Sequence, residues 1–200
     1  MLSGIRLLEK LVSVGSIFPN ELRIAEFIEG QLHERGFKTR RIHLPGDENR
    51  FNVVGERGTK GKPIMLYGHM DTVPVYGRWG SDPFTMRVEG DKLHGLGIYD
   101  MKAGLAAILT SCEQRIDRRI KAAFGVDEEN ISEGAFAIVK DGFHKDVAAI
   151  VVPEINDSPK MTSSGTAAIM LGRRGRAVYE FHVPGRSSHG AHLEDGISAI

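Results

Sequence analysis

The chain has 200 residues, with 26 basic residues balanced by 26 acidic ones, so no net charge draws it toward nucleic acid or an anionic membrane. Hydrophobic residues make up 41% and charged residues 26%, the balance of a globular protein and not of a disordered one. That length suits one domain, or one domain plus part of another.

A single cysteine, Cys112, excludes an intrachain disulfide. It sits in an Ala/Leu-rich stretch and reads as a buried small hydrophobe. The opening MLSGIRLLEKLVSVG carries Glu9 and Lys10 inside its apolar pattern, as an amphipathic helix does and a signal segment does not. No apolar run approaches the roughly 18 residues of a membrane span. The expected location is the cytoplasm, with no membrane and no nucleic acid as partner.

Ile5, Leu7, Leu8, Leu11 and Val12 fit one helical face over residues 3–14. A second helix is predicted after Pro19-Asn20, with Asn20 as N-cap and Leu22, Ile24, Ala25, Ile28 and Leu32 as its buried side. Gly36 is its natural stop. β-like runs follow at 37–43, 51–56 and 63–68, and a Gly/Lys turn at 58–62 predicts a hairpin between the last two. Next come a long helix from Met101 to about Arg115, a strand at 121–126, a helix near 132–141 and a strand at 147–152. Strands alternating with helices indicate an α/β sheet covered on both faces.

Beyond Val152 the texture changes. Residues 166–171 and 177–183 predict strands of a different sheet joined by the turn GRRGR at 172–176, with a domain boundary near 160–168. The closing HLEDGISAI reads as a helix cut in its first turns, which is marginal alone. The end at Ile200 is therefore expected to be a truncation.

Four acidic or histidine clusters punctuate the first part: His69-x-Asp71, Asp100, Glu128-Glu129 and Glu154. Three follow β-like runs directly, and in an α/β sheet ligands bind beyond the carboxyl ends of strands. Imidazole with carboxylates and no thiolate suits zinc, or manganese or cobalt. One residue of spacing lets Asp71 reach the far nitrogen of His69. Adjacent Glu128 and Glu129 diverge, so one can bind metal while the other faces substrate. Taken singly, each has a bland reading: an exposed turn, a solvated helix start, a surface glutamate. Gly95-x-Gly97 is a weak nucleotide signal, since Asp100 replaces the third glycine of the dinucleotide fingerprint.

Taken in order, YGHMDTVPV, WGSDPF, KLHGLGIYDMKAGLAA and GVDEE resemble the M20 family of metallopeptidases and deacylases. That group includes acetylornithine deacetylase, succinyl-diaminopimelate desuccinylase, aminoacylase and glutamate carboxypeptidase. The resemblance implies a zinc-peptidase-like mixed sheet over 1–165, followed by the beginning of an α+β lid and dimerisation domain over 166–200. It implies two zinc ions per active site, His69 and Glu154 on the first, Glu129 on the second and Asp100 bridging them, with a cis peptide at Asp100-Met101. Asp71 would orient His69. Glu128 would be the general base, taking a proton from water and delivering it to the leaving amine. His189, in GRSSHGAHLEDGISAI, would match a lid histidine that reaches the partner's active site and stabilises the tetrahedral intermediate.

The implied substrates are N-acyl amino acids or short peptides, and the implied assembly is a homodimer. A glutamate at position 154 resembles the deacylase and carboxypeptidase members, many of the related aminopeptidases having aspartate there. An aminopeptidase on di- or tripeptides, or an inactive fragment keeping the fold and one metal site, are the alternatives. The family's last metal ligand, a histidine near the C-terminus, has no counterpart in these 200 residues. Asn130 stands where members commonly have an apolar residue. His33, His43, His94, His144, His182 and His192 match nothing and read as structural or surface residues.

Overall fold

The structure, a computed structural model, describes residues 4–114, 117–155, 177 and 179–199. The chain divides into two compact units, Met1–Ala167 and Ala168–Ile200. Among the described residues no helix is long and apolar enough to cross a membrane.

The first unit opens with α1 (Gly4–Ser13) and α2 (Leu22–Glu34). Leu7, Leu8, Leu11 and Val12 are buried as the helical spacing requires, whereas Ile5, expected on the same face, is 54% exposed. Asn20 does not cap α2. Glu21 occupies the cap position and makes no side-chain cap bond, because its carboxylate is engaged by Arg50. Gly36, at φ +76, ends the helix as expected, its N–H bonding the carbonyl of His33.

Strands β1 (Lys38–Leu44) and β2 (Asp47–Arg57) form an antiparallel pair around Gly46. Strand β3 (Lys60–His69) follows the 58–62 turn, but β2 and β3 are not the predicted hairpin. Strand β6 (Arg118–Gly125) lies between them, antiparallel to β2 and parallel to β3. The turn packs directly on the start of that strand: a Cβ on Gly58 would lie 2.5 Å from the carbonyl oxygen of Arg118. Strand β7 (Ala149–Val151) pairs parallel to the other side of β3. Among the described residues the sheet order is therefore β1-β2-β6-β3-β7. A small ribbon, β4 (Arg87–Glu89) with β5 (Lys92–His94), went unpredicted.

Alternation along β2 sends Phe51 and Val53 to one face and Asn52 and Val54 to the other. The first face packs against Leu11, Ile24, Ile28 and Leu109 of the helices, the second against Ile138 of α4 (Glu133–Asp141), with Met65 and Ala123. Both faces are covered, as the alternating pattern predicted. Each such fully buried aliphatic side chain contributes about 1.5–3 kcal/mol. Cys112 is buried in the first core, and burial pushes its thiol pKa up.

The long helix from Met101 is shorter than expected. Helix α3 covers Ala103–Ser111, and the predicted end at Arg115 lies outside the described residues. Before it, Asp100 (φ −126°, ψ 101°) and Met101 (φ −128°, ψ 36°) are not helical, and the peptide between them is cis.

In the second unit, Arg186 and Ile197 exchange two backbone hydrogen bonds that close a loop containing a 3₁₀ turn at Leu193–Asp195. The expected helix start in HLEDGISAI is that single turn, because the return to pair with Arg186 draws the backbone of Gly196 into the extended region. The strand predicted at 166–171, the turn at 172–176 and the boundary near 160–168 lie outside the described residues. The described residues of 177–183 form no strand ladder.

One close approach ties α4 to the sheet. The buried Asn52 amide donates to the carbonyl of Gly134 at 3.1 Å and accepts from the N–H of Val126 at 3.1 Å. A Cβ on Gly134 would lie 2.3 Å from the Val126 carbonyl oxygen and 2.5 Å from Asn52 Oδ1. Gly134→Ala is expected to cost about 1–3 kcal/mol by overpacking, measured by urea unfolding. An unchanged midpoint would show that α4 can move off the sheet freely.

Candidate metal centre

Three parallel strands, β6, β3 and β7, end side by side, and the residues just beyond them carry the polar groups. His69 is the last residue of β3, paired with Gly125, and the N–H of Met70 donates to the Gly125 carbonyl. Asp71 follows on one arm, Asp127, Glu128 and Glu129 on the next, and Glu154 follows β7. This is the location that strand-end geometry predicts for a ligand site in an α/β sheet. Asp100 reaches it from the non-helical turn before α3. Met101, buried in that turn, accepts the backbone N–H of His69 on its sulfur at 3.2 Å.

His69 is 1% exposed. Its Nε2 lies 2.8 Å from Asp100 Oδ1 and 3.8 Å from Glu154 Oε1. Ligand atoms of these three residues all fall within 4.8 Å of one another. The other ring nitrogen, Nδ1, is 3.1 Å from the backbone carbonyl of Asp71 and 3.5 Å from its carboxylate Oδ1. The nearer partner is thus the Asp71 carbonyl and not, as the spacing suggested, the carboxylate. With the Nδ1 proton donated there, Nε2 is the nitrogen turned toward Asp100 and Glu154, able to offer its lone pair to an ion once its own proton leaves.

The Asp71 carboxylate has a further task. Its Oδ1 accepts the N–H of Glu128 at 3.1 Å and its Oδ2 the N–H of Glu129 at 2.9 Å. Burial works to raise the Asp71 pKa, but His69 and these two N–H groups outweigh it and hold it below the usual carboxylate value. For His69, burial works downward, yet Asp100 and Asp71 outweigh it and raise the pKa to about 10. Glu129 is pushed up, first by burial and then by the charge of Asp100, with smaller contributions from Glu128 and Asp71. Among the described contacts the carboxylates at His69 thus outnumber its one imidazole.

That surplus, with one imidazole nitrogen and two carboxylate oxygens converging, fits a divalent ion of the zinc type. His69, Asp100 and Glu154 form the three-donor group. Glu129 stands close enough to feel Asp100 and lies outside that group. His189 belongs to the second unit, where its Nδ1 accepts the N–H of Ala191 at 3.2 Å. Exposed His192, Glu194 and Asp195 also cluster there.

Two contributors escaped the sequence reading. Asp127 counted only as part of an acidic run, yet it is 1% exposed and left-handed at φ 70. Lys102 is buried beside the Asp100 turn and donates to the carbonyl of Val14 at 3.0 Å; burial pushes its pKa down to about 8. A polar residue inside an otherwise apolar strand, as Asn52 is in FNVVGE, was the available signal for the buried polar framework.

Removing the Asp71 carboxylate leaves both glutamate N–H groups without their acceptor and takes a negative charge from beside the imidazole, whose Nδ1 keeps the backbone carbonyl. Asp71→Ala is expected to weaken zinc binding about 10–100-fold, the usual penalty for losing a ligand's supporting group. Competition against a chromogenic chelator measures it, and an unchanged affinity would remove Asp71 from the centre.

The sequence profile of Peptidase family M20/M25/M40 matches residues 65–197. The chain is 34% identical to carboxypeptidase G2 of Pseudomonas sp. (strain RS-16), over 98% of this chain and 48% of that protein. It is 30% identical to succinyl-diaminopimelate desuccinylase of Aliarcobacter butzleri (strain RM4018), over 100% of this chain and 54% of that protein. The solved Bacillus subtilis YXEP protein, a dinuclear metal-binding peptidase of the M20 family, superposes with a TM-score of 0.54 at 20% identity, over 74% of this chain and 41% of that one. The chain spans about half the length of the curated relatives it matches. Because the profile covers more than half of its residues, the chain belongs to Peptidase family M20/M25/M40.

Proposed function

We propose that this chain carries the metal-holding and proton-transfer residues of a dinuclear zinc amide hydrolase acting on N-acyl amino acids or C-terminal peptide bonds. The observation that carries the reading is the double hydrogen bond from the Glu128 and Glu129 amides to Asp71, the neighbour of His69. It joins the proposed base and the second-metal ligand to the first-metal ligand. In this reading residues 1–165 belong to the catalytic domain and 166–200 begin a lid and dimerisation domain. The protein works in the cytoplasm as a homodimer.

Roles divide as follows. His69, Asp100 and Glu154 hold the first ion, and Asp100 and Glu129 contribute to the second. Bound ions supply Lewis acidity to the scissile carbonyl and lower the pKa of the attacking water. Asp71 keeps the His69 ring in the tautomer that presents Nε2. Glu128 takes the proton from the water and passes it to the leaving nitrogen, which cannot depart as a bare amide anion. His189, reaching the active site of the partner protomer from the lid, donates to the oxygen on which charge develops. Glutamate at position 154 favours the deacylase and carboxypeptidase chemistry.

Glu128→Gln keeps size and polarity but cannot accept the proton. In the complete gene product, turnover of N-acetyl and N-succinyl amino acids is expected to fall about 10²–10⁴-fold, the usual worth of a positioned general base, while zinc content stays unchanged. Activity retained in that variant would falsify the assignment. Faster hydrolysis of free-amine dipeptides than of N-acyl amino acids would instead favour an aminopeptidase.

A further inference from the structure

The loop that carries Glu128 and Glu129 is held at a second point, through Asp127. Asp127, the residue before them, accepts the N–H of Glu133 at 2.9 Å and of Ile131 at 3.3 Å on Oδ2. On Oδ1 it accepts Arg50 Nη2 at 3.1 Å. The same guanidinium donates through Nε and Nη2 to the two oxygens of Glu21, at 3.0 and 2.9 Å. Both carboxylates are buried, at 0% and 1% side-chain exposure, and the Arg50 side chain is 12% exposed. One guanidinium thus joins two carboxylates from distant parts of the chain, which the flat fork of arginine can do and a lysine ammonium cannot reproduce.

Glu21 is not a free end. The segment before it runs beside the end of β3: the N–H of Phe18 donates to the Thr72 carbonyl at 3.2 Å, and the N–H of Thr72 to the Ser16 carbonyl at 2.9 Å. The Phe18 ring also lies under the Arg50 guanidinium, 4.8 Å away. Thr72 is bonded covalently to Asp71. The contacts therefore close a ring, from Asp71 through the Glu128 and Glu129 amides to Asp127, then through Arg50, Glu21 and Phe18 back to Thr72.

We infer that Arg50 is a positioning residue that locks the Asp127–Glu129 loop against the end of β3, so that Glu128 and Glu129 keep their place relative to His69 and Asp71. Its consequence for catalysis rests on the hydrolase reading above; its consequence for the loop does not. A purely structural ion pair would loosen the whole unit when broken. A positioning residue loosens the loop first, as a local opening.

The test is residue-resolved amide hydrogen exchange on the 200-residue chain, comparing wild type with Arg50→Lys and Arg50→Met. Exchange at Glu128, Glu129 and Glu133 is expected to accelerate at least tenfold in Arg50→Lys. At Ala122–Phe124 of β6 and Leu105–Leu109 of α3 it changes less than twofold. Arg50→Met, which leaves two buried carboxylates uncompensated, goes further in the same direction. If that variant does not fold, Arg50→Lys, which keeps the charge, carries the test. Unchanged exchange at Glu128 and Glu129, or an equal acceleration throughout the unit, overturns the inference. In the complete gene product Arg50→Lys is expected to lower kcat about tenfold with KM within twofold, and a reversed split also overturns it. An active Glu128→Gln variant would remove the hydrolase reading and leave the exchange result standing.

Discussion

Everything at this site depends on one carboxylate. Asp71 accepts the amide hydrogens of both Glu128 and Glu129 and lies beside the ring of His69. It therefore joins the ends of two adjacent parallel strands, β3 and β6. Without it, two buried or half-buried N–H groups lose their acceptor, and each such loss costs about 1–3 kcal/mol. Asp71 lies outside the three-donor group. It holds the Glu128 and Glu129 amides beside His69.

The electrostatics follow from the same geometry. Asp71, Asp100 and Glu154 each bring a carboxylate within 4 Å of a single imidazole, and Glu129 stands close enough to feel both Asp100 and that ring. Without an ion, a proton fills the gap, which is why the His69 pKa rises to about 10 although burial pulls it down. Proton and ion compete for the same Nε2 lone pair, so ion binding at neutral pH releases a proton. Arg50 is occupied one step back with Asp127 and Glu21. It neutralises the supporting layer behind the cluster.

Much of this was legible in the residues. Apolar spacing located α1, α2, α4 and the five strands of the main sheet, because those segments each bury one face or run through the sheet centre. Punctuation by His69, Asp71, Asp100, Glu128, Glu129 and Glu154 identified residues that the fold gathers at one end of the sheet, and their order matched the family. Strand partners were not legible. Local turn chemistry at Gly58 and Gly61 is compatible with a hairpin, and only the return of β6 from far along the chain displaces β2 from β3. The long helix is present but starts later than predicted for a related reason: the backbone breaks at Asp100-Met101, where Asp100 meets His69, and the helix begins only at Ala103. Asn20 looked like a better cap than Glu21, because the pairing of Glu21 with Arg50 is invisible from either residue's neighbours.

The central claim is that His69, Asp100 and Glu154 form a metal site in these 200 residues. Titration of zinc into the metal-free chain, with His69→Ala as control, tests it most directly. The account predicts one tight site per chain, lost in His69→Ala. No tight site, or a tight site that survives the substitution, would contradict it.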